Sequence, residues 1–113
     1  MLKIYSQTQN GRIFKCPNCS KIHFEFNNLN LNFDNMDEFK HTANYFLKLD
    51  GVYWEKQNTN SYFTRKILVP IGHHNFHIML NNEELMELKE LFRLKHKTKE
   101  IPIDVSKLVF CSN

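Results

Sequence analysis

Glycine and proline are scarce in this 113-residue chain, three of each, while ten Phe help to bring the hydrophobic fraction to 42%. That is the opposite of the composition that leaves a chain disordered. Cysteine is scarce too, and three residues cannot close a disulfide scaffold, so two of them in a Cys-x-x-Cys suggest metal or redox chemistry first. No apolar run approaches the ~18 to 20 residues that a membrane-spanning helix needs. Residues Met1 to Gln7 hold no signal-peptide core, so the expected location is the cytoplasm. The chain also lacks a Ser/His/Asp arrangement, a Gly-rich phosphate loop, a His-Glu-x-x-His and any internal repeat. Arginine is rare beside lysine, three against twelve, and the accompanying fourteen Asn read as a base-composition bias without functional weight.

What is present fits one domain with one core. Asn10-Gly11 sits between two mixed segments and predicts a hairpin with strands near residues 3 to 8 and 12 to 16. Ile22, Phe24 and Phe26 alternate with polar residues, as do Leu29, Leu31 and Phe33, giving a second hairpin across Asn27-Asn28. Asn35 with Glu38 resembles a capping box, and Met36, Phe39, Ala43 and Phe46 continue a helix over about 35 to 49, which Gly51 is placed to end. Residues 52 to 60 read as a surface loop. Tyr62 to Ile71, with Phe76, Ile78 and Leu80, predicts a third hairpin across Gly72-His73-His74-Asn75, and Pro70 marks an edge strand or a bulge. Asn81 caps a second helix that runs to about residue 96, and Ile101 to Phe110 adds a last strand or an extended tail. The expected fold is α+β: a mainly antiparallel sheet of about six strands from three hairpins, with two amphipathic helices packed on one face.

The net charge of +3 is too small to demand a polyanionic partner, but it is unevenly placed. Residues 1 to 33 carry +3, residues 34 to 60 carry −2, residues 61 to 81 carry +2, and the remainder is balanced. Tyr5, Phe14 and Lys15 on the basic amino-terminal strands define a candidate single-strand nucleic-acid platform. In the second helix the early Glu83, Glu84, Glu87 and Glu90 and the late Arg93, Lys95, His96, Lys97 and Lys99 complement the helix dipole, which suffices to explain them.

Cys16-Pro17-Asn18-Cys19 lies between two expected strands. A thioredoxin-type pair needs a helix amino terminus to lower the first thiol pKa, and no helical pattern begins here. Strand, tight turn and strand is instead the setting of a zinc knuckle, with Cys16 and Cys19 as two corners of a tetrahedron. The other ligands have no such signature. His23 stands four residues beyond Cys19, about 13 Å in a continuing strand, and needs a bulge to share an ion. Cys111, His73 and His74 are the favoured partners, since hairpin tips and chain ends can fold back. As a cluster of their own, His73, His74 and His77 read as a polar hairpin tip.

Cys16 to Cys19 followed by Ile22 to Phe26, then Lys66 to Asn75, then Asn81 to Leu85, resembles a family of small uncharacterised bacterial proteins known as a domain of unknown function. The resemblance covers most of the chain and implies a cytosolic, single-domain protein; it brings no activity and no catalytic residue. The expected function is a non-enzymatic binding or adaptor module with a protein partner, stabilised by a structural zinc. A nucleic-acid- or ribosome-associated protein using the basic sheet, and a thiol or metal enzyme, are the alternatives. No membrane partner is expected.

Overall fold

The computed structural model describes residues 2–94 and 99–101. Four strands follow one another as antiparallel neighbours: β1 (Leu2–Gln7), β2 (Gly11–Lys15), β3 (Ile22–Phe26) and β4 (Leu29–Phe33). A short strand β7 (Lys99–Ile101) pairs with the free side of β1, so the sheet order is β4-β3-β2-β1-β7. The first two expected hairpins are therefore present. Neither Asn10 nor Gly11 takes a positive φ. Gly11 opens β2 because a side chain would lie 2.4 Å from the Glu25 carbonyl oxygen, while the positive φ, 53°, belongs to Asn27 in the second hairpin.

Alternation assigns one sheet face to the core. The rows Ile13, Phe24, Leu31 and Gly11, Phe26, Leu29 point toward α1 (Met36–Leu47) and α3 (Asn82–Arg93), which lie against each other and cover that face. Phe92 of α3 stacks on Phe24 at 4.9 Å and on Phe46 of α1 at 5.1 Å, and it touches Phe39 as well. Both helices begin as the spacing predicts: the Asn35 side chain accepts from Glu38 N, and Asn81 and Glu84 form a reciprocal capping box. The second helix ends at Arg93 with Leu94 in the left-handed region; residues 95–98, which include Lys95, His96 and Lys97, lie outside the described residues.

Residues 52 to 60 are not a loop throughout. Helix α2 spans Gly51–Gln57, its amino end capped by Asp50, which accepts from Tyr53 N. Gly51 thus begins this helix rather than ending the previous one, whose C-cap is Lys48. A side chain at Gly51 would come within 2.1 Å of Asn82 Oδ1, so glycine permits α2 to abut the start of α3. There Glu55 accepts from Asn82 N at 2.9 Å, satisfying a donor that no helical carbonyl can reach. The helix escaped the pattern because Val52, Tyr53 and Trp54 are all exposed and supply no apolar stripe.

The third hairpin is a separate two-stranded sheet, β5 (Ile67–Ile71) and β6 (His73–Leu80), not an extension of the first. Gly72, at φ 70°, makes the reversal, and the register shifts between Pro70 and Ile71, as an edge proline with a bulge predicts. Residues 62 to 66 lead into it as a loop pinned by Asn58 Nδ2, which donates to the Lys66 carbonyl at 2.7 Å. The six expected strands of an α+β fold are thus present, divided between two sheets, with a third helix and β7 added. Residues 102 to 113, where the rest of the expected terminal strand and Cys111 fall, lie outside the described residues.

Candidate metal centre

The sheet face turned away from the helices carries a different set of side chains. Phe14, His23 and Asn32 form one cross-strand row there, and Cys16 follows Phe14 by two residues on the same face. Leu2, Ile4 and Cys16 make a small second apolar cluster, with Phe14 and Cys19 packed against it. Cys16 is buried at the end of β2, Cys19 is half-buried in the following turn, and His23 is buried on β3.

The chain reverses at the knuckle, and this overturns the distance argument against His23. Residues 16 to 21 lie outside the strands, β3 starts only at Ile22, and pairing of Phe14 with His23 returns the imidazole to the two sulfurs. Cys19 Sγ lies 3.0 Å from His23 Nε2, Cys16 Sγ 3.9 Å from it, and the sulfurs are 2.7 Å apart. Among the described residues this is the cluster of three Cys, His, Asp or Glu whose ligand atoms all fall within 4.8 Å of one another. Tetrahedral zinc, with bonds of about 2.3 Å to sulfur and 2.0 to 2.1 Å to nitrogen, sets edges of about 3.5 to 3.8 Å. The two His23 distances bracket that range, and the sulfurs need to part by about 1 Å. Cys19 is a free cysteine, whereas Cys16 is disulfide-bonded, so Cys16 offers a thiolate to this cluster only once it is reduced.

A polar chain behind His23 fixes the ring. Asn30 Nδ2 donates to the Phe24 carbonyl, Asn32 Nδ2 donates to Asn30 Oδ1 at 2.9 Å, and Asn32 Oδ1 is thereby turned to His23 Nδ1 at 2.6 Å. An acceptor at that distance is matched by a proton on Nδ1, and in the neutral ring that tautomer leaves the lone pair on Nε2, the atom that faces the sulfurs. Two of the Asn residues set aside as compositional bias therefore orient this ring. Phe14 lies against the imidazole at 5.1 Å, and the Arg12 guanidinium sits 4.5 Å from the Phe14 ring centre while bonding Glu25 at 2.8 Å.

The remaining candidates separate. His73 and His74 stack on each other at 4.3 Å, and with His77 they are exposed on β6, where no further Cys, His, Asp or Glu completes a ligand cluster among the described residues. Cys111 is outside the described residues. Tyr5 and Phe14 do not form one platform: Phe14 pairs with Ile4, so Tyr5, the next residue, takes the opposite sheet face and packs on the main core while Phe14 packs on the second cluster. The helix dipole does not suffice for the acidic residues of α3 either. Glu87 accepts from Thr8 Oγ1, Asn10 N and Asn10 Nδ2, clamping α3 to the first hairpin turn, and Glu84 pairs with Arg65 at 2.7 Å. Burial pushes the Glu87 carboxyl up, but those three donors outweigh it and hold the group below its ordinary value.

Fold and site together define an α+β domain with a Cys-x-x-Cys and histidine knuckle on the face of its main sheet turned away from α1 and α3. The chain belongs to a family of unknown function, DUF6686, whose model matches residues 1–112. No curated protein and no solved structure matches it. No helix among the described residues is long and apolar enough to cross a membrane.

Proposed function

We propose that Cys16, Cys19 and His23 hold a structural zinc ion, and that the domain so stabilised is a non-enzymatic module that binds another protein. The observation that carries the metal reading is the commitment of His23 Nδ1 to Asn32, which leaves Nε2 as a ready ligand beside two sulfurs. Zinc bound there by the reduced chain neutralises the two thiolates and ties the end of β2 to β3. Binding sends the thiol protons to solvent, so loading strengthens as pH rises.

Tetrahedral closure needs a fourth ligand. Ile101 of β7 pairs with Leu2, and Lys15, next to Cys16, pairs with Lys3, so β7 ends at the sheet end that holds the knuckle. Cys111 follows ten residues later and is our candidate for the fourth position. A site closed by cysteine is structural, whereas water in that position would favour the enzyme reading. A protein partner is preferred to nucleic acid because basic side chains of the first sheet are engaged internally: Arg12 with Glu25 and Phe14, Lys21 with Asp34, and Lys3 over Tyr5.

Elemental analysis of the chain purified in reducing buffer tests the metal. The expected result is stoichiometric zinc, lost in Cys16→Ser with Cys19→Ser and in His23→Ala, and weakened in Cys111→Ser. Thiol titration in denaturant and chelator should find all three cysteines reduced. Metal-free protein, or an oxidised Cys16 under these conditions, would overturn the reading. Steep salt-dependent binding to generic RNA would overturn the choice of partner.

A further inference from the structure

We propose that the knuckle is a redox-gated metal site in which Cys19 is the exchange thiol: it takes over the disulfide of Cys16 and hands it to a small thiol from solution. The gate rests on the zinc reading above, whereas the exchange does not.

The two cysteines stand in different oxidation states. Cys16 is disulfide-bonded and Cys19 is free, yet their sulfurs are 2.7 Å apart. That is inside the separation of about 3 to 3.5 Å at which reacting atoms are poised. His23 Nε2 lies 3.0 Å from Cys19 Sγ and 3.9 Å from Cys16 Sγ, so the ring sides with the sulfur that attacks. Its Nδ1 is bonded to Asn32 Oδ1 at 2.6 Å, which keeps the Nε2 lone pair turned to the Cys19 proton. A thiol beside an imidazole that a third group orients is the arrangement of an activated sulfur nucleophile.

Burial gives the relay its purpose. Cys16 is 1% exposed and packs with Leu2 and Ile4, so a thiol in solution is shut off from its sulfur. Cys19 is half-buried in the turn, and Pro17, Asn18 and Ser20 around it are exposed. Exchange proceeds by attack on a sulfur that the thiolate can reach, which here is that of Cys19.

The steps balance. Cys19 gives its proton to His23 Nε2 and its sulfur attacks Cys16 Sγ; a Cys16–Cys19 bond forms, the existing S–S bond of Cys16 breaks, and the electron pair leaves on the sulfur to which Cys16 was joined, which takes up the proton. A small thiolate then attacks Cys19 Sγ, releasing Cys16 as a thiolate and leaving a mixed disulfide on Cys19. A second small thiolate attacks the outer sulfur of that mixed disulfide, so that the small-molecule disulfide departs and Cys19 becomes a thiolate. Two electrons have passed from two small thiols to the chain. Only then do both sulfurs join Nε2 as ligands, because a disulfide sulfur offers a metal no thiolate.

The test uses the whole chain in two forms, one reduced and one mildly oxidised with glutathione disulfide and desalted, each titrated with zinc against a chromophoric chelator. The reduced form should bind one zinc, and the oxidised form should bind more than about 100-fold more weakly, beyond the loss that a missing supporting contact causes. The oxidised, metal-free chain is then reduced with glutathione, quenched in acid, alkylated and mapped by mass spectrometry. Glutathione should be found on Cys19 and not on Cys16, and a folded Cys19→Ser should open its Cys16 disulfide at least about tenfold more slowly than the parent. The map of the unaltered chain decides the relay even where Cys19→Ser does not fold. Equal zinc binding by both forms, or a Cys16 that stays a thiol after oxidation, overturns the gate and leaves the zinc reading standing; zinc bound by neither form overturns both. Glutathione on Cys16, or parental reduction rates in Cys19→Ser, overturns the exchange.

Discussion

Replacing Asn32 with Ala removes the acceptor 2.6 Å from His23 Nδ1 while leaving every ligand atom in the chain. Two effects follow from the geometry. The first appears without metal: His23 is only 8% exposed and Phe14 covers its ring, so the Nδ1 proton loses its partner where water is largely excluded. A buried donor left unsatisfied costs about 1 to 3 kcal/mol. The second appears only with metal. The ring can now turn, and either tautomer is open to it, so the Nε2 lone pair is no longer held toward the sulfurs. Loss of such a supporting contact reduces metal affinity by about 10- to 100-fold, or about 1.4 to 2.7 kcal/mol. Competition for zinc against a chromophoric chelator at neutral pH measures the second effect, and urea unfolding in excess chelator isolates the first. Asn32→Asp restores an acceptor, adds charge beside the ring, and should bind zinc at least as tightly as the parent. If Asn32→Ala holds zinc within twofold of the parent while folding normally, His23 is not a ligand through Nε2 and the proposed centre fails.

Glu87→Gln should lower stability by about 1 kcal/mol at neutral pH, a charged acceptor on a partly exposed surface being worth less than a buried one. Because the folded-state carboxyl is held below the ordinary 4.5, its contribution is complete above that pH and is lost as pH falls through the lowered folded value. Urea melts of both proteins should converge in acid, and an equal gap at pH 7 and pH 3 would refute the clamp. Ser6→Ala should leave stability unchanged or raise it by up to about 1 kcal/mol, since the buried Ser6 Oγ has no hydrogen-bond partner among the described residues. A loss beyond that in a thermal melt would reveal a partner. Gly11→Ala should cost about 1 to 3 kcal/mol, because its Cβ would meet backbone oxygen at 2.4 Å and Leu91 at 2.8 Å, and unchanged stability would show that β2 and β3 can separate there.

Local patterns read well wherever one face of an element is buried. The alternation of Ile22, Phe24 and Phe26 and the stripe of Leu85, Leu88, Leu91 and Phe92 both end in the core, and both Asn caps were legible as short spacings. Helix α2 was not, because only Gly51 is buried in it and nothing periodic marks the rest. The division into two sheets was not legible either, because alternation marks β5 and β6 as strands without saying which strands they pair with. The metal centre was half legible. Cys16 and Cys19 announce themselves by spacing, but His23 is brought in by register, and treating the knuckle as the turn between β2 and β3 would have placed it opposite Phe14. Asn32 needed one more step of the same pairing, which a count of Asn residues could not supply.

The location of the knuckle also follows from where the core is thin. On the helix side, Phe24, Phe39, Phe46 and Phe92 pack the sheet against α1 and α3. Among the described residues the opposite face has Leu2, Ile4 and Cys16 as its buried apolar cluster, smaller than that on the helix side. Among Cys16, Cys19 and His23 a bound ion would close a loop of only a few residues and remove little chain entropy from the unfolded state, whereas Cys111 as the proposed fourth ligand would close a long one and remove more. The part of its effect due to Cys16, Cys19 and His23 would be local, in fixing the turn and in allowing two sulfurs to carry charge. Phe46, Ile67 and Val69 of α1 and β5 belong to the larger cluster on the helix side. Stripping the proposed ion should therefore loosen the end of the β2–β3 hairpin well before it disturbs α1 and β5, the outcome expected of a metal that supports the domain locally.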